Sequence, residues 1–222
     1  MFDANCLKLM FVAGSQDFYH IKGGKNDRIN ALLDALELAL QSKITAFQFR
    51  QKGDLALQDP IEIKQLALEC QKLCQKYGVP FIVNDEVQLA LELKADGVHV
   101  GQEDMAIEKV IALCKKRLFI GLSVNTLEQA LKARHLDGVA YLGVGPIFPT
   151  QSKKDIKQVV GVELLKKIKD SGVKKLLVAI GGITIDNAPQ LRECGVSGIA
   201  VISAIAQAKD KALAVEKLLK NA

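Results

Sequence analysis

Eight short apolar runs, each followed by a stretch of helical character, constrain this 222-residue chain more than any other feature. The runs fall at residues 7–14, 44–50, 81–83, 98–100, 118–123, 139–143, 175–180 and 198–202. Between the first two, Ile29, Leu32, Leu33 and Leu36 recur at helical spacing within residues 27–41. Further helices are expected at 60–77, after Asn84-Asp85, and at 105–116, 126–135, 162–170, 186–194 and 206–220. Each unit is a strand and a helix, and a right-handed run of eight closes most naturally into a single-domain (β/α)8 TIM barrel over residues 1–222. A faint repeat agrees: Asp96-Gly97-Val98, Asp137-Gly138-Val139 and Ser197-Gly198-Ile199 each close a helix and launch a strand. The alternative, a doubly wound open sheet, usually begins with a Gly-rich first turn, which Gly14-Ser15-Gln16-Asp17 does not provide.

Composition narrows the partners. The net charge of +5 is carried by lysines spread along the chain, so neither nucleic acid nor a membrane surface is expected to bind. No apolar run is long enough to span a bilayer. The N-terminus lacks a basic segment followed by a long apolar one, so no signal peptide is expected. Five cysteines form an odd set without CxxC or zinc-ligand spacing; Cys70 and Cys74 read as small packing residues of one helix, which suits a reducing cytoplasm. Nothing in the pattern sets an oligomeric state.

In a barrel, active groups gather at the C-terminal ends of the strands. The third strand ends in Asn84-Asp85 and the fourth in Gly101-Gln102-Glu103-Asp104. Parallel neighbours lie about 4.8 Å apart, so Asp85 and Asp104 are expected side by side on the rim. Two carboxylates beside an asparagine suit a hard cation such as Mg²⁺. Each aspartate also stands where a helix cap is wanted, Asp85 with Gln88 three residues on, so for either aspartate taken alone the capping role is the one favoured. After the second strand, Gln48, Arg50 and Lys52 alternate with Phe47, Phe49 and Gln51, which puts the polar three on one face and the phenylalanines toward the helices. Three polar groups facing a barrel interior are costly unless they bind something.

Ser123 ends the fifth strand, and the loop after the sixth brings Thr150, Gln151, Ser152 and Lys153. That loop is long for its kind and reads as a lid or as plain surface. Gly181-Gly182 after the seventh strand and Ser203 after the eighth occupy the recurrent phosphate site of this fold, although a Gly-Gly pair also serves any tight turn. His99 reads as a satisfied core histidine, and His20 and His135 as surface groups. No nucleophile elbow or triad pattern occurs. The rim inventory matches small phosphorylated substrates: one carrying pyrophosphate with Mg²⁺, and a second carrying phosphate.

The motifs QFRQK (48–52), ND (84–85), ADGVHVGQED (95–104), GLS (121–123), YLGVGPIFPTQSKKD (141–155), AIGGI (179–183) and GIAVISAI (198–205) resemble thiamine phosphate synthases over essentially the whole chain. The resemblance implies a (β/α)8 transferase of thiamine biosynthesis that joins hydroxymethylpyrimidine pyrophosphate to hydroxyethylthiazole phosphate and releases pyrophosphate. It further implies that Gln48, Arg50, Lys52, Asn84, Ser123 and Lys153 hold the pyrimidine pyrophosphate, with Phe49 and Gln51 in the same matched stretch. Arg50, Lys52, Ser123 and Lys153 carry the catalysis in this reading. Asp85 and Asp104 would ligate one Mg²⁺ per active site, and Thr150, Gln151, Ser152, Gly182, Ile202 and Ser203 would hold the thiazole phosphate. The implied mechanism is dissociative and needs no protein nucleophile. Gln51 stands where many members have Glu, Phe49 where many have Leu, and Ser152 where Thr is usual. A related thiazole tautomerase is the nearest rival, and Asp85, Asp104, Arg50 and Lys153 argue against it. A non-catalytic phosphate-binding barrel has no use for the paired aspartates, and a phosphosugar isomerase or lysine aldolase wants a base or lysine inside a strand.

Overall fold

The computed structural model describes residues 2–114, 117–150 and 158–221. Eight parallel strands, β1 (Leu9–Ala13), β2 (Ala46–Phe49), β3 (Phe81–Asn84), β4 (Gly97–Val100), β5 (Phe119–Val124), β6 (Val139–Val144), β7 (Leu176–Ile180) and β8 (Gly198–Val201), pair in sequence order and close as β8 meets β1. The outer ring is α1 (Lys25–Gln41), α2 (Pro60–Tyr77), α3 (Val87–Glu92), α4 (Ile107–Cys114), α5 (Leu127–Ala133), α6 (Gly161–Asp170), α7 (Pro189–Arg192), α8 (Ser203–Ala206) and α9 (Lys211–Asn221). The expected single-domain (β/α)8 barrel is the architecture present.

The period-2 alternation of each strand sorts its side chains into two layers. Met10, Val12, Ala46, Ile82, Tyr141, Val178 and Ala200 fill the barrel itself. Phe11, Phe47, Phe49, Phe81, Val83, Val98 and Val100 face outward into the larger layer beneath the helices. At the N-terminal end of the strands the chain closes its own floor. Phe2 packs on Phe119 with ring centroids 5.0 Å apart, and the turn Ala4–Leu7 lies so close to β8 that a Cβ at Gly198 would sit 1.8 Å from the Leu7 carbonyl oxygen.

Two expected helices are shorter than their periodicity suggested. Residues 186–194 yield only Pro189–Arg192, because a reciprocal turn occupies the preceding residues: Thr184 N–H donates to Asn187 Oδ1 at 2.8 Å and Asn187 N–H to Thr184 Oγ1 at 3.3 Å. Pro189 then opens the helix, where its missing N–H costs nothing. The stretch 206–220 is broken after Ala206 and restarts at Lys211, with the Asp210 carboxylate accepting the Leu213 N–H at 2.9 Å as its cap. Residues 14–24 contain a buried 3-10 turn, Ser15–Phe18.

Candidate active site

A cavity of about 510 Å³ opens at the C-terminal rim of the barrel. From β2 and the residues just after it, the alternation runs as the sequence implied. Gln48 points inward, buried, with its amide 3.6 Å from Met10 Sδ, and Arg50 and Lys52 line the cavity. Phe47 and Phe49 belong to the layer beneath the helices. Gln51 also turns away: its Oε1 accepts from the Ser15 hydroxyl at 3.3 Å and the Leu57 N–H at 3.1 Å. Among the described residues no carboxylate forms a salt bridge with Arg50, although the residue is only 7% exposed. A buried guanidinium without a paired anion is a prepared anion site, because desolvating it is costly until a negative group arrives.

The ends of β3 and β4 bring Asp85 and Asp104 to the same lysine. Lys52 Nζ lies 2.9 Å from Asp85 Oδ2 and 3.9 Å from Asp104 Oδ1. Burial pushes the Asp85 carboxyl up; the Lys52 ammonium pulls it down, and the neighbouring Asp104 pushes it up again. Burial also raises the Asp104 carboxyl, but the contact with Asp85, the Gly101 N–H and Lys52 outweigh it and hold this group below the usual range. The hydrogen bond to Asp85 raises the Lys52 ammonium in turn.

Neither aspartate is a helix cap. The helix after Asp85 starts at Val87 with Glu86 at the cap position and no side-chain bond there, while Asp85 itself sits in the left-handed region at φ 64°. Asp104 lies three residues before α4 and reaches backward, accepting the Gly101 N–H at 2.7 Å. Both carboxylates are thus presented to the rim by tight local turns rather than spent on helix ends.

Ser123 is set by the barrel interior. His99 stands between two hydroxyls, its Nε2 2.9 Å from Ser123 Oγ and its Nδ1 2.9 Å from Tyr141 Oη. Burial pushes the Tyr141 phenol well above its ordinary value, with Gln48 as a partner that opposes the shift. Gly121 and Gly143 make room for the imidazole: a Cβ would lie 2.4 Å from His99 Nδ1 at the first and 2.9 Å from Cε1 at the second. His99 is the satisfied core histidine the sequence suggested, and it also touches a cavity residue.

Opposite, the chain after β6 lies along the end of β7. Ile147 and Phe148 donate their N–H groups to the carbonyls of Ile180 and Gly181, each at 3.0 Å. Gly181 (φ 101°) and Gly182 (φ 65°) both need positive φ, and a Cβ at Gly182 would meet the Pro149 carbonyl oxygen at 2.4 Å. Thr150, Gly182, Ile202 and Ser203 line this side of the cavity. Gln151, Ser152 and Lys153 lie outside the described residues.

The cavity therefore brings together Arg50, Lys52, Asn84, Asp85, Asp104, Ser123, Thr150, Gly182, Ile202 and Ser203. Gln48 lies in the buried interior of the barrel, and Phe49 and Gln51 face away from the cavity. Gln102 and Glu103, which the sequence places at the end of the fourth strand, line the cavity without having been given a role there, and Asn125 was not singled out at all. Gln102 Nε2 donates to the Ser123 carbonyl at 2.6 Å, and Asn125 Nδ2 donates to the Gly145 carbonyl. Asn125 was legible in principle, since it stands two residues beyond the inward-facing Ser123.

Comparison with known proteins supplies the class. The family described as thiamine monophosphate synthase matches residues 18–205. The chain is 92% identical over all 222 residues to a thiamine-phosphate synthase of Helicobacter pylori (strain Shi470), covering 100% of both chains. It is 54% identical to a thiamine-phosphate synthase of Pasteurella multocida (strain Pm70), covering 97% of this chain and 96% of that one. A solved thiamine phosphate pyrophosphorylase from Pyrococcus furiosus superposes with a TM-score of 0.81 at 38% identity, covering 98% of this chain and 96% of that one. With the barrel and its rim cavity in place, these matches make the chain an enzyme of the group-transferring thiamine-phosphate synthase family.

Proposed function

We propose that this enzyme condenses hydroxymethylpyrimidine pyrophosphate with hydroxyethylthiazole phosphate in a Mg²⁺-dependent, dissociative reaction at the rim cavity. The observation that carries this reading is the convergence of Asp85, Asp104 and Lys52 beside Arg50, which no carboxylate among the described residues pairs in a salt bridge. Among the described residues no cluster of three or more His, Cys, Asp or Glu could hold a metal, so Asp85 and Asp104 would share the ion with oxygens from substrate and water. Two hard carboxylates with substrate phosphate oxygens are the usual donor set for Mg²⁺, so the residues fit the ion. Bound there, Mg²⁺ would neutralise part of the diphosphate charge.

The protein's own groups then have distinct tasks. Arg50 and Lys52 stabilise the charge that develops as pyrophosphate departs, where a preorganised cation is worth most. Ser123, fixed by His99, and Asn84 orient the pyrimidine so that its methylene faces the thiazole nitrogen. Gly182, Ile202 and Ser203, with Thr150, receive the thiazole phosphate, aided by Gln151 and Ser152, and Lys153 joins the diphosphate set. The C–O bond breaks first; the thiazole nitrogen lone pair forms the C–N bond to the resulting pyrimidine cation, and the bond electrons leave with pyrophosphate. No enzyme nucleophile is required.

The test follows thiamine phosphate by its thiochrome fluorescence, with both substrates and either Mg²⁺ or excess EDTA. Product with Mg²⁺ and none with EDTA is expected, and an electron-withdrawing group on the pyrimidine should slow turnover sharply. Asp104→Ala should lower turnover by at least about a hundredfold while leaving the thermal midpoint near that of the wild type. Metal-independent turnover, or an Asp104→Ala variant that loses stability at normal turnover, would refute the reading.

A further inference from the structure

The turn Gly14-Ser15-Gln16-Asp17 is buried beside the rim without lining the cavity, and it holds the backbone from which Arg50 projects. Asp17 Oδ2 accepts the Gly14 N–H at 2.9 Å and a hydrogen from Gln16 Nε2 at 2.8 Å. The same Gln16 nitrogen donates to the Arg50 carbonyl at 2.7 Å. Arg50 N–H donates to the Ala13 carbonyl at 2.9 Å, so both backbone groups of Arg50 are tied to the end of β1. A Cβ at Gly14 would lie 2.1 Å from the Arg50 carbonyl oxygen, which shows how closely the two strand ends approach. Ser15 reaches the next residue, Gln51, at 3.3 Å.

Two features of this turn are not explained by folding alone. Gln16 spends both amide hydrogens on acceptors and leaves its Oε1 buried without a partner among the described residues, so its amide has one usable orientation. Asp17, 6% exposed, is an ionisable group where a neutral acceptor would be cheaper to bury. Burial pushes its carboxyl up to about 6, against the pull of the Gly14 N–H, Arg50 and Gln16. At pH 7.5 it is therefore ionised, and an ionised carboxylate is purely an acceptor. Of the charged groups on α1 and at the β2 end that surround it, Arg50 is the one whose charge acts on it; α8 carries none.

We infer that Gln16 and Asp17 are positioning residues for Arg50: Asp17 fixes the Gln16 amide, and the amide fixes the Arg50 backbone so that its guanidinium meets the diphosphate. The inference rests on the placement of the diphosphate at Arg50 proposed above.

The experiment measures calorimetric binding of inorganic pyrophosphate with Mg²⁺ at pH 7.5, and KM for each substrate, in the full chain and four variants. Gln16→Ala and Asp17→Ala should each weaken pyrophosphate binding and raise KM for the pyrimidine diphosphate by about tenfold, leaving KM for thiazole phosphate unchanged. Asp17→Asn should restore both values, because an amide oxygen in the place of Oδ2 can accept the same two hydrogens. Wild-type affinity in Gln16→Ala overturns the inference, as does a rise of both KM values in step with a fall in thermal midpoint. Failure of Asp17→Asn to rescue removes Asp17 from the chain of contacts. Arg50→Ala separates the two levels: if it binds pyrophosphate normally, the diphosphate placement and this inference fall together. If it loses binding while Gln16→Ala does not, the inference falls alone.

Discussion

Asp17 works against folding at neutral pH. Its carboxyl titrates near 6 in the folded chain and at 3.8 in a model peptide. The folded state therefore binds the proton more tightly, and stability falls as pH rises from about 4 to about 6, then stays low above it. The two-unit difference, net of the hydrogen bonds to the carboxylate, corresponds to roughly 3 kcal/mol. Asp17→Asn is expected to raise the thermal midpoint at pH 8 by roughly 5 °C, with the gain shrinking to nothing as pH approaches 4. A melting series across pH measures this directly, and a variant less stable than wild type at pH 8 would contradict it. Asp85 shows a related economy: its left-handed φ of 64° is a conformation non-glycine residues reach at a cost of about 1–2 kcal/mol. That cost is characteristic of functional sites. The spacing of Asp85 and Asp104 was readable from residue order; their turns were not. Aspartate tolerates the left-handed region without any glycine to mark it, and a carboxylate that accepts a backward N–H looks in sequence like one that caps forward.

At the scale of elements, the sequence was most informative where side-chain period and strand geometry coincide. The alternation through Gln48, Phe49, Arg50, Gln51 and Lys52 assigned every side chain to its observed face. Helix ends were less legible, because amphipathic spacing in 206–220 continues across a break that only the Asp210 cap discloses. Burial of Gly14-Ser15-Gln16-Asp17 was hidden for a different reason: four small or polar residues read as a polar loop until their partners Arg50 and Gln51, just after β2, are known. The segment after β6 owes its course to β7, on which it lies through Ile147 and Phe148. Gly182→Ala must therefore displace the Pro149 and Phe148 carbonyls, which a new Cβ would approach to 2.4 and 2.7 Å, as well as strain a φ of 65°. The expected result is a stability loss of about 1–2 kcal/mol together with a raised KM for thiazole phosphate and little change in KM for the pyrimidine substrate. Steady-state kinetics with each substrate varied in turn would show the split, and equal shifts in both KM values would place Gly182 outside the thiazole side.

The whole molecule is a barrel filled by Met10, Ala46, Ile82, Tyr141 and Val178 and sealed below by Phe2 against Phe119. Among the described residues no helix is long and apolar enough to cross a membrane. The five cysteines are all free and buried, and burial raises every one of their thiols that is shifted, which makes them packing groups as their spacing implied. With Phe2 packed on Phe119 across the floor, the described residues open the cavity at the rim. Ser123 is anchored to His99 inside the barrel, whereas Thr150, Gly182 and Ser203 come from the chain after β6, β7 and β8. A well that opens at its rim fills from the bottom and drains from the top. The pyrimidine partner should accordingly enter first, and a saturating thiazole partner should lock it in. In an isotope-trapping chase, radiolabelled pyrimidine diphosphate bound to the enzyme should pass into product rather than exchange with unlabelled substrate; free exchange under those conditions would contradict that order.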